Sequence, residues 1–316
     1  MNRRKPTAVI LDSFAVNPGD MSWSGLEAIC DIKIYDRTPS DLILERAKGA
    51  EIVITNKTPL TAETIRSLTS LKFIDLLSTG FNIADYKFAR TLGIPVSNVP
   101  EYSTDDVAQM TMALLLEVCF RVGDHSKAVH SGAWSDSKDF CFSLYPLLAL
   151  KGKTMGIVGD GKIGREVGKI SEAFGMKTLY CGASMKPGRV AFDEVLAESD
   201  VISVHCPLTE ETTGLINKEN IAKMKDGAIL VNTSRGPVIN EKDLRDALVS
   251  GKLFGAGVDV LSTEPPSRDN PLLGLDNCII TPHIAWASQT ARARLIEETV
   301  KNVQAYINGT PRNVVN

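Results

Sequence analysis

The chain lacks what a nucleic-acid or membrane protein needs. Its 316 residues carry 35 Lys and Arg against 38 Asp and Glu, a net charge of -3, and the isoelectric point is near 5.9. With no dense basic cluster, there is no positive field to hold a phosphate backbone. No run of 18 apolar residues occurs, so no membrane-spanning helix is expected. The start, Met1-Asn2-Arg3-Arg4-Lys5-Pro6, is basic, but residues 7–13 are too short and too quickly polar for a signal peptide. Metal-ligand spacing is missing too. Cys30, Cys119, Cys141, Cys181, Cys206 and Cys278 are scattered, mostly within apolar segments, and read as small core residues of a reduced, cytoplasmic chain with no metal site. A small molecule is the expected partner, with no nucleic acid and no membrane.

What the chain does have is an alternation of short β-type runs with helical patterns. Residues 8–11, 32–35, 52–55, 73–77 and 94–99 are separated by segments such as Asp41-Leu42-Ile43-Leu44-Glu45-Arg46-Ala47, which predicts a parallel sheet with helices on its faces. A long helix is predicted to begin at Ser103, with Asp106 completing a capping box, and to continue through Val107, Met110, Leu114 and Leu115. A second alternating series follows, with strands predicted at 154–158, 178–181, 201–205, 228–232, 255–259 and 278–281. The final helix, 290–308, is amphipathic at Ile296, Val300, Val303 and Ile307.

Between the two series lies Met155-Gly156-Ile157-Val158-Gly159-Asp160-Gly161-Lys162-Ile163-Gly164. An apolar strand enters a Gly-x-Gly-x-x-Gly turn, and a helical pattern (Ile163, Val167, Ile170, Phe174) leaves it. In that setting Gly159 permits the tight turn, Gly161 lets backbone approach a diphosphate, and Gly164 lets helix and strand pack closely. The bland alternative, a glycine-rich connection that binds nothing, does not need this context on both sides. The length suggests two domains. The fold class expected is α/β, two Rossmann-like or flavodoxin-like parallel-sheet domains with a cleft between them. Residues 1–101 plus 288–316 would form a discontinuous substrate domain and 102–287 a dinucleotide-binding Rossmann domain.

Three further signatures sit just beyond apolar strands, where ligands gather in open α/β sheets. They are Val231-Asn232-Thr233-Ser234-Arg235-Gly236-Pro237, residues 257–266 with Glu264, and Ile280-Thr281-Pro282-His283-Ile284-Ala285-Trp286-Ala287. With these, and with Thr55-Asn56-Lys57-Thr58-Pro59 and Leu77-Ser78-Thr79-Gly80-Phe81-Asn82, the chain resembles the D-isomer-specific 2-hydroxyacid dehydrogenase family over essentially its whole length. The run from Thr281 to Trp286 is similar to that of glycerate dehydrogenases, also called hydroxypyruvate reductases.

The resemblance implies roles for residues that composition alone would leave as a surface arginine, a solvated carboxylate and a satisfied histidine. Arg235 would bind the substrate carboxylate and polarise the carbonyl with its fork of donors. His283 would protonate the carbonyl oxygen as hydride arrives, and Glu264 would hold its other nitrogen, fixing the tautomer and favouring the charged form. The cofactor set implied is Gly159, Gly161, Lys162, Ile163, Gly164, Gly182, Ala183, Ser184, Lys186, His205, Cys206, Pro207, Thr213, Thr233, Ser234 and Asp259, with His205 in the adenosine wall. His125 and His130 lie in a polar helical stretch and read as structural or solvated. On the substrate side, the N–H groups of Ser78, Thr79 and Gly80 would form an anion nest. Lys57 is either an added charge or an exposed loop lysine, and Trp286 either walls the substrate or simply packs.

One departure concerns the cofactor. At the end of the second strand, where an acidic residue would take the ribose hydroxyls, the chain has Gly182. Without that carboxylate, and with Ser184, Lys186 and Arg189 nearby, NADP(H) is expected to serve at least as well as NAD(H), although no arginine directly follows Gly182. The function this implies is NAD(P)H-dependent reduction of hydroxypyruvate, and of glyoxylate, to the D-2-hydroxyacid. The alternatives are a 3-phosphoglycerate or D-lactate dehydrogenase and, more remotely, a dinucleotide-sensing, corepressor-like scaffold. Residues 103–121 and 129–134 are more apolar than one buried face requires, and the family's use of this region implies a homodimer.

Overall fold

The computed structural model describes residues 4–316, so the first three residues of the basic start lie outside the described residues. The chain divides into two compact units, Met1–Ser103 with Ala287–Asn316, and Thr104–Trp286.

The first unit starts as strict β/α alternation. In chain order it runs β1 (Thr7–Ile10), α1 (Ser24–Ile29), β2 (Asp31–Ile34), α2 (Ile43–Ala47), β3 (Ile52–Thr55), α3 (Ala62–Ser67), β4 (Phe73–Leu76), α4 (Tyr86–Thr91) and β5 (Val96–Ser97). The strands form one parallel sheet in the order β2-β1-β3-β4-β5. β3 and β4 are buried at every position, as expected of strands covered on both faces by crossover helices. β5 is shorter than the predicted 94–99. Pro95 has no N–H to give, and just past the strand Asn98 N–H donates to Asn313 O (3.2 Å) and Val99 N–H to Ser78 O (3.0 Å). The segment leaves the ladder to hold loops.

The second unit holds α5 (Thr104–Phe120), α6 (Val122–His130), β6 (Thr154–Val158), α7 (Lys162–Ala173), β7 (Lys177–Cys181), α8 (Phe192–Glu198), β8 (Val201–Val204), α9 (Lys218–Lys223), β9 (Ala228–Asn232), α10 (Glu241–Val249), β10 (Leu253–Val258) and β11 (Cys278–Ile280). Its sheet is also parallel, in the order β11-β10-β9-β8-β6-β7. β6 therefore has β7 on one side and β8 on the other, and the crevice where the winding reverses opens beyond its carboxyl end.

α5 is a core helix. Leu114, Leu115, Val118 and Cys119 are buried, and the helix lies on β10 because Gly257 and Gly255 have no side chains. A Cβ at Gly257 would stand 2.9 Å from Leu114 Cβ, and one at Gly255 2.7 Å from Val118 Cγ1. Much of the apolarity read at 103–121 is buried within this unit, against the sheet and α7. Phe120 at the end of α5 stays exposed, and further exposed apolar side chains follow at Val122, Val129, Trp134, Phe140, Leu144 and Leu147. Two other expectations are corrected. Phe174 is exposed beyond the end of α7 instead of completing its apolar face, and Cys141 is the exposed cysteine while the other five are buried.

The last helix, α11 (Gln289–Ile307), belongs to the first unit. Ser288 Oγ caps it by accepting from Ala291 N–H (3.0 Å). Leu295, Ile296, Thr299, Asn302 and Val303 are buried, and Val300 Cγ2 would be 2.9 Å from a Cβ at Gly25 of α1. Gly25 is what brings the two helices together. No helix among the described residues is long and apolar enough to cross a membrane.

Candidate functional site

The glycine turn is built by exclusion. At φ +102° Gly159 adopts a left-handed conformation, and a Cβ there would stand 2.6 Å from the Cys206 nitrogen and 2.7 Å from the His205 carbonyl carbon. Only glycine lets the turn after β6 pass the loop after β8. A Cβ at Gly164 would strike the Gly159 carbonyl. Gly161 is the opposite case. It precedes α7 with no side-chain cap, and nothing lies within 4 Å of where its Cβ would be. No side chain therefore closes the turn at Gly161, at the start of a 12-residue helix, the place where the nucleotide reading puts a diphosphate. Ile163 faces the other way, with its side chain against the core.

The loop after β8 is tied to this turn. His205 N–H donates to Val158 O at 2.7 Å, and its Nε2 pairs with Ser203 Oγ at 2.8 Å. Burial pushes the imidazole pKa down to about 4, so the ring is neutral near pH 7. Cys206 is buried, and burial raises its thiol pKa. Pro207 O accepts from Thr212 Oγ1 (2.6 Å), and Thr213 Oγ1 donates to Thr209 O (2.6 Å). At the end of β7, Gly182, Ala183, Ser184 and Lys186 are exposed. The cation brought back against Gly182 is Arg189, whose carbon Cζ would be 2.9 Å from a Cβ there.

The residues expected to do chemistry lie on the loops after β9, β10 and β11. Asn232, at the end of β9, shapes its own loop. Its side-chain Oδ1 accepts from the Ser234 N–H (2.9 Å) and hydroxyl (2.8 Å), and its side-chain Nδ2 donates to Arg235 O (2.9 Å). Thr233 Oγ1 lies 2.9 Å from Thr111 Oγ1 of α5. Arg235 is exposed and donates to Ser234 O (2.7 Å). The next residue must be glycine, because a Cβ at Gly236 would run into the backbone of Leu261 and Ser262. That close passage packs the Arg235 loop against the 261–264 segment. There Glu264 Oε1 accepts from Leu261 N–H (3.0 Å), and Oε2 lies 2.6 Å from His283 Nδ1. The outer nitrogen, Nε2, faces away from the carboxylate.

His283 has φ +54°, a left-handed conformation at a residue with a Cβ, and Asp259 holds it there. Buried to 1% exposure, Asp259 accepts His283 N–H on its backbone oxygen (2.8 Å). Its Oδ1 accepts from Thr281 Oγ1 (2.6 Å) and Ile284 N–H (2.9 Å), and Oδ2 from Ala285 N–H (2.8 Å). The Asp259 placed in the cofactor set is first of all the anchor of the histidine loop. Four bonds to one residue hold the loop in this sparsely populated conformation.

In the first unit, Asp12 organises the Thr55–Pro59 loop. Its carboxylate accepts the N–H groups of Asn56 (2.8 Å), Lys57 and Thr58 (2.8 Å) and the Thr55 hydroxyl (2.9 Å). The Lys57 side chain is exposed. The nest expected at 78–80 is smaller than read, because Ser78 N–H donates to Leu76 O (2.7 Å). The loop is pinned by Asn98, whose amide donates to Thr79 O (2.7 Å), and by Thr79 Oγ1 donating to Val99 O (3.0 Å). Ser78 Oγ donates to Gly80 O (2.6 Å).

Trp286 is half-buried at the end of the second unit. His125 is structural: Nδ1 lies 2.9 Å from Arg121 O and Nε2 accepts Leu144 N–H (3.1 Å), while His130 is exposed. Among the described residues no group of His, Cys, Asp and Glu has the arrangement of a metal site. Sequence reasoning missed Asp12, Asn98 and Asn232. Each is a short polar side chain at or just past the end of a strand, a signal shared with the residues it did find.

Comparison with known proteins matches residues 112–285 to the family model of the D-isomer specific 2-hydroxyacid dehydrogenase, NAD binding domain. The chain is 50% identical over 318 residues to a hydroxypyruvate reductase of Blautia hydrogenotrophica, covering 98% of this chain and 99% of that one. In structure it is similar to the TT0316 protein of Thermus thermophilus, at TM-score 0.88 and 35% identity over 98% of this chain and 100% of the other. A D-lactate dehydrogenase of Aquifex aeolicus, solved with NAD and lactic acid, is similar at TM-score 0.82 and 34% identity over 96% of each chain.

Proposed function

The chain belongs to the D-isomer-specific 2-hydroxyacid dehydrogenase family and is an NAD(P)-dependent oxidoreductase, and from that premise we propose that it reduces hydroxypyruvate, and glyoxylate beside it, to the D-2-hydroxyacid. The observation that carries the reading is the 2.6 Å contact of Glu264 Oε2 with His283 Nδ1. It leaves Nε2 as the nitrogen able to meet a substrate oxygen.

The bound nicotinamide would supply the hydride. His283 Nε2–H gives its proton to the carbonyl oxygen, and in the reverse direction Nε2 takes it from the hydroxyl. Glu264, itself held by Leu261 N–H, fixes the tautomer and ring orientation. Arg235 binds the 2-oxoacid carboxylate with a planar fork that a lysine does not reproduce. For the Thr79 and Gly80 N–H groups we propose anion recognition of the same class. The 50% identity to a hydroxypyruvate reductase over nearly the whole of both chains supports this substrate over lactate or 3-phosphoglycerate. The six free thiols fit a reducing compartment.

The test is oxidation of NADPH and of NADH by the purified protein with hydroxypyruvate, glyoxylate, pyruvate and 3-phosphohydroxypyruvate. Hydroxypyruvate is expected to give the highest kcat/KM. A higher value for pyruvate or the phosphorylated acid would replace the substrate, and dinucleotide binding with no turnover of any of the four would favour the scaffold reading.

A further inference from the structure

On a doubly wound sheet, the adenine ribose of a dinucleotide comes to the end of the second strand, and the side chain there decides whether a hydroxyl or a phosphate is welcome at the 2′ position. Here that strand is β7, and it ends in Gly182, which has no side chain to offer. The space is filled from elsewhere. A Cβ at Gly182 would lie 2.9 Å from Arg189 Cζ, 3.0 Å from Arg189 Nη1 and 3.1 Å from Asp160 Oδ1. The glycine is what lets an arginine from further along the chain lie across the strand end.

Arg189 is fixed there. Its Nε donates to Asp160 Oδ2 at 2.8 Å, its Nη2 donates to Asp160 Oδ1, and its Nη1 donates to Ser184 O at 2.5 Å. The Arg189 side chain is 12% exposed and that of Asp160 7%. Asp160 is the middle residue of the Gly159-Asp160-Gly161 turn, so the arginine is tied to the turn itself. Asp160 also accepts from Arg165 Nη2 at 3.0 Å. Arg189, and then Arg165, hold its carboxyl below the usual aspartate range, so it stays ionised. Two guanidinium groups against one carboxylate leave the cluster with a net positive charge. Nη1 of Arg189 also donates to Ser184 Oγ at 3.4 Å, so of the five N–H donors of a guanidinium these four bonds leave one, on Nη2. A fixed guanidinium N–H in a net positive cluster suits a phosphate oxygen better than a ribose hydroxyl.

Resting on the dinucleotide reading of the glycine turn, we propose that Arg189 selects the 2′-phosphorylated cofactor, NADPH over NADH, and that Asp160 is the residue that positions it. The missing acidic residue at Gly182 removes repulsion. Arg189 provides the attraction, a part that neither Lys186 nor any residue directly after Gly182 takes. Asp160 is engaged in orienting the arginine and does not act as a substitute carboxylate for the ribose.

Equilibrium binding tests this without turnover. Dissociation constants would be measured for NADPH, NADH, 2′,5′-ADP and 5′-AMP with the native protein and with Arg189→Gln, Arg189→Lys, Asp160→Asn and Gly182→Asp. The native protein is expected to bind NADPH and 2′,5′-ADP roughly tenfold or more tighter than their unphosphorylated partners, the scale of one charge-assisted contact. Arg189→Gln should erase that difference by weakening only the phosphorylated ligands. Arg189→Lys should restore part of it, and Asp160→Asn should shrink it by loosening the arginine. Gly182→Asp should turn the preference toward NADH. The proposal is overturned if the native protein binds NADH as tightly as NADPH, or if Arg189→Gln weakens both alike, which would make the arginine a packing residue. Binding of neither dinucleotide would overturn the reading of the turn as well. The comparison of 2′,5′-ADP with 5′-AMP on the native protein needs no variant to fold.

Discussion

His283 stands at φ +54° because Asp259 accepts the histidine's own N–H and the N–H groups of the two residues that follow it, and Glu264 holds its Nδ1. His283→Ala is expected to lower kcat by roughly a hundred- to ten-thousand-fold, the usual worth of a positioned acid, with the Kd of the dinucleotide unchanged in a binding titration. Loss of cofactor binding instead would show that the histidine's role is misassigned. A second histidine predicts a pH effect. His205 has its pKa lowered from 6.5 to about 4 by burial, so the unfolded chain takes up a proton at a higher pH than the folded one. Its contribution to stability is therefore fully present above about pH 6.5 and is lost as the pH falls toward 4. Denaturation midpoints for native protein and His205→Gln across that window should diverge, with the native protein falling more steeply. Parallel curves would count against a buried, neutral imidazole.

At the scale of elements, glycines and buried amides decide where functional loops sit. Gly236 lets the Arg235 loop touch the backbone that leads to Glu264. Gly236→Ala should cut kcat/KM and lower Tm together, and a variant with native kinetics would mean that this close passage can relax without moving the site. In the first unit, Asn302 of α11 donates to Asp75 Oδ1 of β4 (2.9 Å) and to Asn98 O (3.0 Å). Asn98 in turn holds the Thr79 carbonyl. Asp75 is fully buried and its carboxyl pKa is pushed well upward by that burial. Asn302→Ala would leave it without this partner and is expected to cost about 1–3 kcal/mol in chemical denaturation.

These links were only partly legible in the sequence. Strands such as 52–55, 154–158 and 228–232 stood out as apolar runs with polar residues behind them, and they form as read. β5 shrank, because whether a residue pairs in a ladder or ties down a loop depends on what lies opposite. The tether that joins α11 to the Thr79 loop spans more than two hundred positions and leaves no local pattern.

At the scale of the molecule, the exposed apolar side chains are the unexplained surface. Phe140 is 90% exposed, and Trp134 and Leu147 about half, all after α6 in a stretch that forms no further regular element up to β6. The homodimer implied by the family resemblance would bury such residues. Native protein is expected at twice the 34.2 kDa chain mass by light scattering, and Trp134→Asp with Phe140→Asp should yield monomer. A native monomer would remove the interface reading. The sequence had located the surplus apolarity partly in 103–121, where most of α5 is buried within its own unit and Phe120 stays exposed. Hydrophobicity records that a side chain must leave water, but not which surface covers it.

The sequence by itself determined two parallel β/α series, a nucleotide turn in the second, and Arg235, Glu264 and His283 as residues just beyond strands, because strand periodicity, glycine spacing and loop chemistry are local properties. Only the tertiary structure decided that Glu264 meets His283 at Nδ1, that Asp259 and Asn232 act as loop anchors, and that Arg189 instead of Lys186 occupies the end of β7. Those outcomes depend on distances between segments that are remote in the chain, and packing alone fixes such distances.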